Sequence, residues 1–291
     1  MKKNYSRIRF AAPFLALALA SAAHAGVTES TAPAPAAAEE DVVSGVLKLD
    51  FNSHFISYGN DVWADGRNMG DPTFNPSVEV TWELPAGFTF SLGTWWDVNS
   101  KGGGNSSPLG GRIQEVDVWA GVGYTIGDFT TKVAYQTWMY NGDTEDILDI
   151  TFSYDCFLSP SLTIHNRLDA GGAGPDGDIP GTGDEGTILV AGISYGFDAG
   201  PVSISFPLNV AYFLDDGFHS VDPATGDEAD SGFGYGSIGV AASLPLSFID
   251  DAYGEWTLNA NLTYYVTSTD VIPANPRGDF LTAGLGVAVA F

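Results

Sequence analysis

The sequence predicts an all-β fold: a single antiparallel 12-stranded transmembrane β-barrel with short periplasmic turns and long extracellular loops. Three observations predict it. From Val43 onward, apolar and polar residues alternate with period two in twelve separate runs, and none carries a helical stripe. The connections between the runs alternate between tight turns and long loops. Aromatic residues on the apolar face gather at both ends of the runs, as interfacial belts do.

Residues 1–25 read as a secretory signal: Lys2, Lys3, Arg7 and Arg9, then "AAPFLALALASAA", then Ala23-His24-Ala25 as a small-residue cleavage site. The apolar stretch is too short to span a bilayer as a helix, and no Cys follows the site, which argues against a lipid anchor. Residues 26–42, with "VTESTAPAPAAAEE", read as a disordered periplasmic leader, and 43–291 as the barrel. Without the signal, 7 basic residues face 36 acidic ones, a net charge of −29, so nucleic acid is a poor partner. A single Cys156 excludes an internal disulfide framework and reads as a small apolar filler near a turn.

The first run, 43–58, puts Asp50, Asn52 and His54 in one inward row and Tyr58 at its end. The second, 76–84, sets Val78, Val80, Trp82 and Leu84 against Ser77, Glu79, Thr81 and Glu83. The third, 87–99, points Trp95 and Asp97 inward and Phe88 and Trp96 outward; the fourth, 112–126, points Glu115 and Asp117 inward and Tyr124 outward. The fifth, 129–140, has Lys132 and Trp138 inside, Phe129 and Tyr135 outside; the sixth, 146–156, has Asp149 and Asp155 inside and Tyr154 outside. The seventh, 161–169, makes an inward row of His165, Arg167 and Asp169. The eighth, 187–197, ends on an outward Phe197; the ninth, 202–214, turns Phe213 in and Tyr212 out; the tenth, 233–244, turns Phe233 and Tyr235 in. The eleventh, 255–266, sets Trp256, Leu258, Ala260, Leu262, Tyr264 and Val266 against Glu255, Thr257, Asn259, Asn261, Thr263 and Tyr265. The twelfth, 280–291, shows Leu281, Ala283, Leu285, Val287, Val289 and Phe291 to lipid. Because every backbone group in lipid must be paired, this last strand has to close against the first.

Twelve strands lie between barrels filled by their own side chains and barrels that enclose a wide channel. The inner face carries Asp50, Glu79, Glu83, Asp97, Glu115, Asp117, Asp149, Asp155, Asp169 and Glu255 against Lys48, Lys132 and Arg167. A water-filled lumen of that sign favours cationic or neutral solutes. The competing expectation is a lumen plugged by ion pairs, with Arg167 across a hairpin from Asp149. Tyr58, Trp95, Trp138, Phe213, Phe233, Tyr235 and Tyr265 form an aromatic mouth that either stacks on amphipathic solutes or braces the loops. Asp176, Asp178, Asp184, Asp227 and Asp230 lie in two acidic loops that could wrap calcium or form solvated tips. No cofactor is expected.

Catalysis is not expected. A lipid hydrolase needs a nucleophile beside a base, yet neither His54 nor His165 has a Ser on the same face of its strand, and His219 sits in a loop. The alternatives to a channel are therefore a lipid-modifying enzyme and a structural or adhesive surface barrel.

The stretches "SHFISYGNDVW", "PSVEVTWELPAGFTFSLGTWWDVN", "EVDVWAGVGYTIGDFT" and "AYQTWMYNG" resemble a group of uncharacterised bacterial outer-membrane barrels, conserved hypothetical proteins of porin type. The likeness covers roughly the first half of the mature chain and implies fold and outer-membrane location. Where that group has an Arg-Gly pair in the first extracellular loop, this chain has Tyr58-Gly59. A strand closed by Phe291 also resembles the signal read by barrel-insertion machinery. The partners implied are that machinery, outer-membrane lipid with its lipopolysaccharide, and small solutes.

Overall fold

The computed structural model describes residues 42–63, 72–100, 112–140, 143–170, 183–219 and 225–291. In chain order the strands are β1 (Val43–Asn52), the two short strands β2 (Ile56–Ser57) and β3 (Asn60–Asp61), β4 (Thr73–Leu84), β5 (Phe88–Val98), β6 (Ile113–Ile126), β7 (Phe129–Tyr140), β8 (Asp143–Tyr154), β9 (Ser161–Asp169), β10 (Gly186–Ala199), β11 (Val202–Phe213), β12 (Gly232–Pro245), β13 (Glu255–Thr267) and β14 (Asp279–Ala290). All but β2 and β3 form one closed antiparallel barrel of sequential neighbours, completed where β1 pairs with β14. Among the described residues no helix is long and apolar enough to cross a membrane.

The turns at 85–87, 127–128, 155–160, 200–201 and 246–254 define a short-turn rim. The connections 53–72, 99–112, 141–142, 170–185, 214–231 and 268–278 define the opposite, long-loop rim. Outward positions alternate as expected, with Leu49, Leu92, Val122, Leu208, Leu262 and Leu285 all exposed on the barrel wall. On this face Phe88 meets Tyr124 and Trp82 meets Phe90 beside the short turns, while Tyr135, Tyr212 and Tyr264 stand exposed toward the long loops.

Phe291 lies just past β14 and exchanges both backbone hydrogen bonds with Gly45. Its ring covers Gly45 so closely that a Cβ there would stand 2.5 Å from ring carbons, so a larger residue would displace the ring. The seam of the barrel is thus capped by an aromatic side chain.

The first strand is shorter than the alternation suggests. It stops at Asn52, because the next residue anchors the chain to β14: Ser53 N–H donates to the carbonyl of Ala283, and Ser53 Oγ accepts from Ala283 N–H. The segment 53–63 then folds over the lumen instead of continuing the wall. Its β2–β3 hairpin turns on Tyr58 and Gly59, whose φ angles of 49° and 81° are the left-handed pair of a tight hairpin turn.

Two β-bulges correct further facings. Between β8 and β9 the register shifts after Arg167, so Asp169 pairs with Asp146 and is exposed; it does not join His165 and Arg167 inside. Between β11 and β12 an extra residue, Gly234, sits against Phe213, so that Tyr235 is buried while Phe233 turns outward and is 45% exposed. Asp155 lies in a turn beyond β8, and Glu83 and Glu255 sit at the short-turn rim; all three are exposed. Cys156 is half-buried in the 155–160 turn, where its carbonyl accepts from Ser159.

Candidate functional site

The lumen divides into two halves with different side chains. In the short-turn half, inward positions are mostly small and polar: Ser77, Thr81, Thr89, Thr130, Thr151, Ser153, Ser203 and Ser243 retain partial exposure, while Ser91, Thr163, Ser194 and Ser205 are buried. Short hydroxyl side chains fill less of a twelve-stranded barrel than the rings of the other half do. Lys132 and the indole of Trp119 both bond Glu79 across its middle, at 3.3 and 2.7 Å, and Lys48 and Asp50 face inward nearby, half-buried.

In the long-loop half the inward residues, many of them aromatic, are buried and covered by chain. Phe55, Ile56 and Tyr58 of the hairpin, Phe218 and His219 of the 214–231 connection, and Val271 and Ile272 of the 268–278 connection pack with Trp95, Trp138, Ile188, Phe213, Tyr235 and Tyr265 of the wall. The hairpin tip is the centre of this plug. Tyr58, 2% exposed, stacks on Trp138 at 5.3 Å and meets His165 and Phe218 edge-on. A Cβ on Gly59 would collide with the rings and methyls of Tyr235 and Ile272. Asn275 ties the hairpin to the wall: its amide donates to the Gly59 carbonyl and to Thr267, and its oxygen accepts from Asp61 N–H.

Arg167 locks the loops to the wall. Its Nε donates to Glu145 at 2.6 Å, one Nη donates to the carbonyls of Phe218 and Asp184, and its guanidinium lies 3.7 Å from the Phe218 ring centre and 5.3 Å from that of Tyr58. Such a fork satisfies a buried carboxylate and two loop carbonyls at once. The expected Arg167–Asp149 pair is replaced: Asp149 takes the Nδ1–H of His165 at 2.5 Å and the amide of Gln136. The alternation bounds the sixth run at 146 and so leaves Glu145 outside it, whereas β8 begins at Asp143 and turns Glu145 inward. Phe218 and Asn275 carry no sequence signal for their roles, because each acts through a loop contact, whereas Gln136 works within the wall, donating to Asp149 and accepting from Trp138.

Burial drives the imidazoles in the plug toward the neutral form. His219 is pushed down to about 3 by desolvation and then by the Arg167 charge; since a carbonyl can only accept, its Nε2 carries the proton donated to Tyr58 O. Burial also lowers His54. The Tyr58 hydroxyl is raised well above the phenol range, first by desolvation and then by Glu145. Exposed Asp216 is lowered by its bonds from Ser231.

A Ser does stand beside a His, contrary to expectation: Ser53 Oγ is 2.7 Å from His54 Nδ1, and Asp61 is 3.7 Å from His54 Nε2. Because Ser53 leaves the strand alternation, the two side chains can meet. This hydroxyl is 4% exposed and already holds Ala283 N–H, so the arrangement anchors the hairpin. Of the acidic loop residues, Asp176 and Asp178 lie outside the described residues, as does the whole of 1–41. Asp184, Asp227 and Asp230 belong to no group of three or more side chains placed to hold a metal ion among the described residues.

No family model and no curated relative matches the chain. Solved structures do. An outer-membrane channel from Pseudomonas putida F1 is 12% identical over 86% of this chain and 95% of that one, with a TM-score of 0.50. A membrane protein solved in a study of in-meso crystallization is 9% identical over 85% and 84%, also at 0.50, and the NanC porin is 10% identical over 84% and 98%, at 0.43. At these identities the two matches at 0.50 show the fold, a closed barrel of the outer-membrane type, and nothing finer.

Proposed function

We propose that this chain is an outer-membrane channel for small cationic or neutral solutes, held closed in this structure by loops packed into its outer mouth. The long-loop rim then faces outside and the short-turn rim faces the periplasm. One observation carries the reading: inward side chains of the short-turn half are mostly small and many of them keep partial exposure, whereas the rings of the other half are sealed under the hairpin 55–61. A structural or adhesive barrel has no need of a hollow half, and a filled barrel would not sort its inward residues by size. The sign of selectivity follows from Asp50, Glu79, Asp97, Glu115, Asp117, Glu145 and Asp149, which face inward against Lys48, Lys132 and Arg167.

Planar-bilayer recording of the full chain tests this. The expected result is a mostly closed wild type and a steadily conducting Tyr58→Ala variant, with reversal potentials in a KCl gradient that favour potassium. Absence of current from both proteins would remove the channel, and anion preference would remove the charge argument. We read the chain as a channel rather than an enzyme; lipid hydrolysis that disappears in His54→Ala would reverse that reading.

A further inference from the structure

The wall beneath the plug presents two adjacent rows of inward residues across β5, β6 and β7. One row reads Trp95, Asp117, Trp138, and the next, closer to the long-loop rim, reads Asp97, Glu115, Tyr140. Cross-strand neighbours in such rows stand about 5 Å apart, so Asp117 lies between two indole side chains.

Asp97, Glu115 and Asp117, together with Glu145 on β8, are all buried. Donors reach two of the four fully. Asp97 accepts from Trp63, Asn75 and Asn99, and Glu145 accepts from Arg167 and Tyr140. By contrast, neither oxygen of Asp117 meets a donor among the described residues, nor does Oε1 of Glu115. These two carboxyl groups also lie against one another. Buried adjacent carboxyl groups without donors call for a positive partner or a shared proton.

The surroundings select among partners. No group of three or more ligating side chains is placed to hold a metal ion among the described residues. Indole side chains on the two strands flanking a carboxylate instead suit an organic cation, which takes charge from the oxygen and contact from the rings. The same barrel shows this mode within its own chain, where the Arg167 guanidinium meets Glu145 on one side and the rings of Phe218 and Tyr58 on another.

We propose that Glu115 and Asp117, flanked by Trp95 and Trp138, form a binding site for the guanidinium or primary ammonium head of an alkyl cation. The proposal rests on the channel reading, because the hairpin must withdraw before a solute can reach the site. In the closed state Phe55 stands 5.0 Å from Trp95 and Tyr58 stacks on Trp138, so the plug occupies the ring surfaces that a bound cation would use. Solute and hairpin compete for them, and binding favours the open mouth.

Calorimetric titration of the refolded full chain with agmatine, which carries both head groups, tests the site. Agmatine should bind saturably, and Tyr58→Ala, which removes the competing ring, should tighten binding. The isosteric double variant E115Q/D117N should weaken it by about ten- to hundredfold, the worth of hydrogen bonds to charged groups. No binding to wild type or to Tyr58→Ala would mean that the pair holds only a proton, and would overturn the proposal. Unchanged affinity in E115Q/D117N would overturn it too, as would equal competition by potassium or calcium at matched concentration. Potassium chloride conductance recorded on the same preparations separates the two readings: a barrel that conducts without binding agmatine loses this site alone, whereas one that never conducts loses the channel.

Discussion

The two halves of the lumen are built from the same strands, yet they solve opposite problems. Near the short turns β4 offers Ser77 and Thr81 and β11 offers Ser203, half-exposed side chains that leave space between them. Near the long loops the same strands offer Thr73 and Asn75, and Phe213, which are buried to within a few per cent beneath packed loops. The wall is held by backbone pairing in both halves, so side-chain volume is free to vary along each strand. Closure of this barrel resides in its loops and in the charges beneath them, while the short-turn half is held mainly by its wall.

The contrast can be broken most severely at Arg167. In Arg167→Ala, Glu145 loses its buried partner and the carbonyls of Phe218 and Asp184 lose their donor. Stranding a buried charge costs about 3–5 kcal/mol. The plug should therefore stand open, seen as a permanent conducting level and as rapid protease cleavage within 53–63. Retention of a closed, protected mouth would show that the loops hold without the guanidinium. Tyr58→Ala comes next: truncating a fully buried aromatic ring costs about 3 kcal/mol or more where neighbours cannot collapse. Intermittent opening and an intermediate cleavage rate are expected, short of the Arg167 variant.

Acidification should act in the same direction, more weakly. His219 stays neutral in the closed plug, depressed to about 3, whereas once released it titrates near its ordinary value of about 6.5. The open state therefore takes up a proton that the closed state refuses. The contribution of His219 to closure is fully present above pH of about 6.5 and is lost as pH falls toward about 3. The neighbours of His219 are Arg167, whose positive charge opposes protonation, the Tyr58 carbonyl, and the rings of Phe213 and Phe218. Open probability measured from pH 7.5 to 4.5 should rise, and His219→Gln should flatten the rise; an unchanged slope in that variant would assign it to other groups.

Period-two alternation made the wall legible, because one face of every strand must be apolar and the other polar. It placed Glu79, Asp97, Glu115, Asp117, Lys132, Asp149, His165 and Arg167 on strands whose inward faces bury them or half-bury them. It could not show where a strand gives way to a loop that folds back. "NSHFISY" keeps apolar residues coming, so Tyr58 read as the end of a strand, although the departure is set by one hydroxyl, Ser53, on β14. Bulges were equally silent. One extra residue reverses every facing beyond it, which moved Asp169 and Phe233 to the outside. Partner identity failed for a related reason: spacing across a hairpin favours Asp149 for Arg167, but a long side chain reaches Glu145 toward the rim, leaving Asp149 to His165.

The gentlest test of the comparison adds volume where the barrel is hollow. Thr81 on β4 points inward in the short-turn half, half-exposed, and cross-strand from Ser44 and Ser91. On the channel reading a tryptophan there enters space instead of a packed core, so it should change the stability of the folded barrel by no more than about 0.5 kcal/mol, the usual scale for substitutions away from packed features. The same ring should narrow the path. In an Arg167→Ala background, Thr81→Trp is expected to lower unit conductance while leaving open probability untouched, because the plug is at the other end. A stability loss on the scale of core overpacking, about 1–3 kcal/mol, would mean that the short-turn half is filled after all.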